Sequence, residues 1–221
     1  MNRFELKADR SHWTIGFDFE EQAISEGFRL VAGVDEVGRG CIAGPVVAAA
    51  CILNAAQSPP EGLDDSKKLT PEKRTEIAAE LRETAVAFAF GQVEPDEIDR
   101  INILEATKKA MLAAIGGLAP AADYVLIDAL RLKACSLPQK SLIKGDAISF
   151  SIAAASVLAK TYRDELMTTF SAEFPEYGFA DHKGYGCATH YEAIRDYGPC
   201  PIHRMTFKGV CREKADVATL F

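Results

Sequence analysis

The sequence predicts an α/β domain built on a mixed sheet of about five strands, followed by a helical C-terminal segment from Ser171 onward. Three observations point there. Two apolar runs early in the chain read as consecutive strands, short apolar runs then alternate with helical periods from Thr70 on, and the last long helical stretch is rich in small residues. With 221 residues and 48% hydrophobic content, the chain can bury a substantial core in one domain.

Residues 1–27 read as an N-terminal extension without an apolar signal core. Phe28 to Val37 (FRLVAGVDEV) is the first strand and Val46 to Leu53 (VVAAACIL) the second, and the short link between them predicts a hairpin. Thr70-Pro71-Glu72 opens a helix, with Thr as N-cap and Pro at the first helical position, running through EKRTEIAAELRET. AVAFAFGQV follows as a third strand. One helix then runs from Pro95-Asp96 through INILEATKKAMLAAI until Gly116-Gly117 stops it. YVLIDAL (124–130) is a buried strand and SLIK (141–144) another. After Gly145-Asp146, AISFSIAAASVLAKTYRDELMTTF has a helical period.

No window approaches the 18 unbroken apolar residues of a membrane span, so a cytoplasmic protein is expected. The six cysteines, at 41, 51, 135, 187, 200 and 211, include no C-x-x-C pair, which fits reduced thiols. Cys187-Ala-Thr-His190 and Cys200-Pro-Ile-His203 form a C-x-x-H pair that a tetrahedral zinc would accept. The spacing is not among the common zinc ones, so small buried cysteines and scattered histidines are preferred. A net charge of −7, from 25 Lys plus Arg against 32 Asp plus Glu, argues against bulk attraction to nucleic acid but leaves room for a local basic groove.

Four acids punctuate the most apolar stretches: Asp35 and Glu36 in GVDEVGRG, Asp128 ending YVLI, and Asp146 after Lys144-Gly145. Singly, each has a plain explanation. Asp35, Glu36 and Asp128 would be solvated strand ends, and Asp146 a helix N-cap. Together they suggest a shared cation, since one or two divalent ions would relieve their repulsion, and an all-oxygen ligand set selects Mg²⁺ or Mn²⁺. Two such ions, about 3.5–4 Å apart, suit phosphodiester hydrolysis. There is no P-loop, no G-x-G-x-x-G and no G-x-S-x-G to support competing chemistries. A glycosidase pair lies across a cleft, whereas strand neighbours Asp35 and Glu36 point to opposite sheet faces.

The segments VAGVDEVGRGCIAGPVVAAACIL, LDDSKKLTPEKR, YVLIDAL, IKGDAISFSIAAASVLAKTYRD, HKGYGCATH and GPCPIHRMTF resemble, in this order, bacterial ribonuclease HII. The resemblance spans residues 29 to 208. It implies a ribonuclease H-like mixed five-stranded sheet flanked by helices, with residues 28–170 as catalytic domain and 171–221 as a helical segment contributing to substrate binding. It implies an endoribonuclease that hydrolyses RNA in RNA–DNA hybrids and cuts 5′ to single ribonucleotides in duplex DNA, leaving a 3′-hydroxyl and a 5′-phosphate. Asp35, Glu36, Asp128 and Asp146 would then be the catalytic, metal-binding acids. A strand that ends or bulges at Gly38 would turn both Asp35 and Glu36 toward one cleft.

By the same resemblance, Gly38, Arg39 and Gly40 form the loop that senses the ribonucleotide's 2′-hydroxyl, and Tyr185 stacks on the sugar that follows. Lys67, Lys68, Lys144, Lys160, Lys183 and Arg204 lie in or beside these motifs and would supply a basic groove, with Lys67 and Lys160 as phosphate contacts. Ala129, Cys187 and Met205-Thr206 depart from residues frequent in the family, and none of them is one of the four acids. The sister family, ribonuclease HIII, carries a long N-terminal domain for which 27 residues leave no room. A monomer is expected. Two alternatives remain: a nuclease of the same fold acting on DNA or structured RNA, and a duplex-binding module with purely structural acids that would bind hybrids equally well in EDTA.

Overall fold

The computed structural model describes residues 14–211, so the expectations for residues 1–13 and 212–221 lie outside the described residues. A five-stranded mixed sheet has the order β3-β2-β1-β4-β5, from β1 (Val31–Val37), β2 (Val46–Ile52), β3 (Ala87–Val93), β4 (Tyr124–Asp128) and β5 (Gln139–Leu142). The first three strands form an antiparallel meander, and β4 and β5 add in parallel on the other side of β1. Residues 38–45, which join β1 to β2, form a longer excursion than the short link expected of a hairpin.

Period-two alternation sorts the strand residues between two layers. Ala32, Val34, Ala48, Ala50, Val125 and Ile127 face α3 (Pro95–Ile101) and α4 (Ile103–Gly116). Val47, Ala49 and Cys51 face α2 (Pro71–Thr84) and α5 (Phe150–Glu173). Each layer depends on one glycine. A Cβ on Gly33 would fall 2.0 Å from the backbone carbon of Ser151, and one on Gly91 would fall 2.1 Å from the carbonyl oxygen of Ala110. At these points the helices lie against bare strand backbone.

Several readings of the sequence, among them the cap explanation of Asp146 taken singly, differ from the structure. The helix expected from Pro95 to Ile115 is two helices, because Asn102 takes a left-handed φ of 70° and its side chain caps α4 by accepting from the Leu104 and Glu105 N–H groups. Asp146 is not a helix cap. It lies on a single 3₁₀ turn (Gly145–Ala147), and Ser149 caps α5 by accepting from Ile152 N–H. The supposed extension contains α1 (Asp18–Ser25), whose Phe19 and Ala23 pack against Val31, Leu126 and Ile152. Helix α5 runs unbroken past Ser171. The chain beyond it, with α6 (Phe179–His182) and α7 (Ala188–Tyr197), closes a separate apolar cluster of Ile42, Ala43, Met167, Phe179, Ile194 and Val210.

Candidate active site

The strand register brings the acids to one end of the sheet. Val34↔Ile127 is the last pair of the parallel β1/β4 ladder, so the next residues, Asp35 and Asp128, stand side by side on the face covered by α5. Asp146 is drawn to the same place by its turn, where Gly145 N–H donates to Asp128 Oδ1 at 2.7 Å. Glu36 arrives differently. The β1/β2 ladder is regular through Val37, so Asp35 and Glu36 leave on opposite faces rather than turning together into one cleft. β4 has already ended at Asp128, however, and the Glu36 charge acts on both Asp35 and Asp128 around the open rim.

These carboxylates crowd one another. Burial, then the charges of Glu36 and Asp128, push the Asp35 carboxyl well above the usual carboxylate range, despite hydrogen bonds from Ser156 and from Glu36 N–H at 2.8 Å. Asp128 is pushed up to about 6, first by burial and then, against the Gly145 hydrogen bond, by Asp146 and Glu36. Glu36 Oε1 accepts from Arg39 at 2.9 Å, while its Oε2 is buried with no partner. Lys67 reaches in from an exposed loop and places its ammonium 3.0 Å from Asp146 Oδ2 and 3.5 Å from Asp65 Oδ1. Burial opposes the Lys67 charge, but the Asp146 hydrogen bond and the surrounding acids raise its pKa overall.

Among the described residues, no three His, Cys, Asp or Glu side chains already surround one point as metal ligands. The acids are held apart by separate donors: Arg39 on Glu36, Gly145 on Asp128, Lys67 on Asp146. The donor set nonetheless suits a hard divalent cation. It is all oxygen, it includes an orphaned buried oxygen, and it has already attracted an ammonium.

The loop after β1 rests on two arginines that are fully buried. Arg163 donates to the carbonyls of Pro45, Ala43 and Lys183 at 2.8 to 3.0 Å. Arg204 donates twice to Gly44 O and once to Arg39 O. A buried arginine committed to carbonyls offers nothing to a phosphate, so the expectation of Arg204 in a basic groove is corrected. The role of Arg163 went unread, because the surrounding helical period marks it only as one more position on α5. Gly38 has φ +89°, and a Cβ there would meet the Arg163 guanidinium at 2.3 Å; the space around Gly40 is open. Tyr185, 44% exposed, pairs with Cys41 in an isolated bridge beside this loop. Lys160 Nζ lies 6.0 Å from the Tyr185 ring and is paired to Asp164 at 2.6 Å. The structure thus brings the four acids, the Gly38-Arg39-Gly40 loop, Tyr185 and Lys67 to one side of the molecule, with Lys160 at its border.

Three residues of the zinc pattern touch in a row, with Cys200 Sγ 3.1 Å from His203 Nδ1, but among the described residues they do not surround a common point as metal ligands. Cys187 Sγ pairs with Thr189 Oγ1 at 3.2 Å, and His190 and His203 are buried and bonded to each other through their Nε2 atoms at 3.0 Å. One proton arrangement satisfies the three shorter contacts of this chain, leaving the 3.3 Å approach of His203 Nδ1 to the Cys200 carbonyl oxygen without a proton. Cys200 N–H donates to His203 Nδ1, His203 Nε2–H to His190 Nε2, and His190 Nδ1–H to the Tyr185 carbonyl at 2.9 Å. Burial lowers the pKa of both histidines to about 4, which keeps this relay neutral.

Comparison with known proteins agrees with this geometry. The family model for ribonuclease HII matches residues 32–210. A ribonuclease HII of Geobacter metallireducens is 51% identical over 207 residues, covering 94% of this chain and 95% of its own, and one of Geotalea daltonii is 53% identical over 193 residues, covering 87% and 89%. The crystal structure of ribonuclease H2 from Pyrococcus horikoshii OT3 superimposes with a TM-score of 0.69 at 27% identity, covering 82% of this chain and 95% of that one. The chain therefore belongs to the ribonuclease HII family, metal-dependent endoribonucleases that act on RNA in RNA–DNA hybrids and on ribonucleotides within duplex DNA.

Proposed function

We propose that Asp35, Glu36, Asp128 and Asp146 are the catalytic acids and that together they hold one or two divalent ions, Mg²⁺ or Mn²⁺. The observation that carries this reading is the β1/β4 register, which sets Asp35 beside Asp128 at the strand ends, where open α/β sheets place their ligands. When bound, the metal would lower the pKa of an attacking water and offset charge on the leaving oxygen. The chain's own part is to hold the acids ionised and close, which the burial of Asp35 opposes until a cation arrives. Lys67 and Arg39 serve as exchangeable partners that neutralise Asp146 and Glu36 in the metal-free protein and turn to the nucleic acid when metal binds.

The Gly38-Arg39-Gly40 backbone reads the 2′-hydroxyl, and the exposed Tyr185 ring stacks on the following sugar, in a surface braced by Arg163 and Arg204. Lys160 adds positive charge near Tyr185, its contact with phosphate depending on release from Asp164. The same reading makes the protein a monomeric cytoplasmic enzyme. Among the described residues, no helix is long and apolar enough to cross a membrane.

The test is a labelled DNA duplex with one ribonucleotide, beside an all-DNA duplex, in Mg²⁺, Mn²⁺ and EDTA. A single cut 5′ to the ribonucleotide that needs metal, and that disappears in Asp35→Asn and Asp146→Asn, is expected. Full activity in either variant would remove the four-acid assignment. Equal cutting of ribo- and deoxyribonucleotide duplexes would move the protein to another nuclease class.

A further inference from the structure

A carboxylate buried as deeply as the site acids lies outside them. Glu20, on α1, is 2% exposed. Its Oε1 accepts from Ser149 Oγ at 2.7 Å and from Ser151 N–H at 2.9 Å, and its Oε2 is buried without a partner. Ser149 is the N-cap of α5 and Ser151 lies in its first turn, so the carboxylate sits on the positive end of that helix. The chain just before Glu20 grips the same place. Gly16 N–H donates to Ile148 O at 3.4 Å, Phe150 N–H donates to Gly16 O at 3.1 Å, and the Phe17 ring lies 5.0 Å from that of Phe150.

All of these contacts fall on residues 148–151, directly after Asp146. From the other side, the turn is held by Gly145 N–H on Asp128 and by Ser149 N–H on Gly145 O at 2.9 Å. The residue that carries Asp146 is therefore clamped between the end of β4 and a strap formed by residues 16–20. Core packing accounts for Phe17 and Ala23. It does not account for Glu20, because an apolar side chain would fill the same space without the cost of dehydrating a carboxylate.

We propose that Glu20 is a positioning residue of the metal site: by fixing where α5 begins, it fixes the direction in which Asp146 presents its carboxylate. This rests on the reading of Asp146 as a metal ligand. The expected effect is on metal affinity, as when support behind a ligand is removed.

The experiment is calorimetric titration of Mn²⁺ into the metal-free full chain, comparing wild type with Glu20→Ala, Glu20→Asp, Glu20→Gln and Asp146→Asn, with a thermal melt for each. Glu20→Ala, and Glu20→Asp whose shorter arm loses Ser151, should bind Mn²⁺ about tenfold more weakly, while Glu20→Gln, which keeps an acceptor oxygen, stays near wild type. Folded Glu20→Ala and Glu20→Asp proteins with wild-type affinity would overturn the proposal. If Glu20→Ala does not fold, the contrast between Glu20→Asp and Glu20→Gln decides alone, and equal affinities would overturn it. Unchanged affinity in Asp146→Asn would defeat the ligand assignment itself, and the proposal with it.

Discussion

Protonation at Asp128 links site chemistry to stability. Its folded pKa of about 6 lies above its ordinary value of 3.8, so the folded protein takes up this proton before the unfolded chain does. In the metal-free protein, the Asp128 contribution should therefore raise stability as pH falls from about 6 toward 3.8, and be absent in Asp128→Asn. Metal binding should respond the other way. Mn²⁺ affinity should fall as pH drops through about 6, because proton and metal compete for one carboxylate; calorimetry across that window measures it. Asp35 gives a sharper contrast. Asp35→Asn should abolish metal-dependent cleavage yet raise the urea midpoint of the metal-free protein, since it removes a buried carboxyl crowded by two other acids. At this scale the acids stood out in the sequence because carboxylates are costly beside apolar runs. Arg163 and Arg204 did not, because nothing in a linear sequence separates an arginine bound for solvent from one bound for buried backbone carbonyls.

Among the elements, α5 and β1 form the contact that everything near the site depends on. Gly33→Ala would push a methyl group into the Ser151 backbone, where no rotamer change can relieve it. It should cost about 1–3 kcal/mol or more in denaturant midpoint and also weaken cleavage, because Asp35 lies two residues further along the same face. The C-terminal elements are tied in by the histidine relay. His203→Phe would keep a ring in the cluster but leave His190 Nε2 and Cys200 N–H unpaired, a loss of about 1–3 kcal/mol by urea unfolding. Both histidines have folded pKa values near 4, below the ordinary 6.5, so the stability they hold in neutral form is complete above 6.5 and lost as pH falls toward 4. That slope opposes the Asp128 one, and His203→Phe should make it shallower. Element types were largely readable from period and caps, as in the Thr70-Pro71 start of α2. The break at Asn102 was not, because an Asn inside a helical period signals a cap only when its backbone turns left-handed. The pairing of His190 with His203 was not legible for a related reason: spacing records how far apart side chains are along the chain, and says nothing of which atoms they turn toward each other.

Over the whole molecule, the mixed five-stranded sheet and its flanking helices were predictable because buried strands and long amphipathic helices leave few ways to cover both faces. What the sequence did not reveal is the integration of its ends. Residues set aside as an extension hold the start of α5, and the chain beyond α5 returns to cover the loop after β1 through Ile42↔Gly184 and Arg204 contacts. The parallel seam between β1 and β4 carries a further consequence, for the order in which this protein comes into being. Asp35 and Asp128 become neighbours only when a loop of roughly ninety residues closes, and such closures are slow and late compared with the adjacent β1–β2–β3 meander. If the four acids hold the metal as proposed, a full chain trapped with only its meander paired carries every acid and yet has no place to put an ion. On the proposed four-acid reading, nuclease competence should appear only once β4 has paired with β1, and Mn²⁺ binding followed during refolding would time that step.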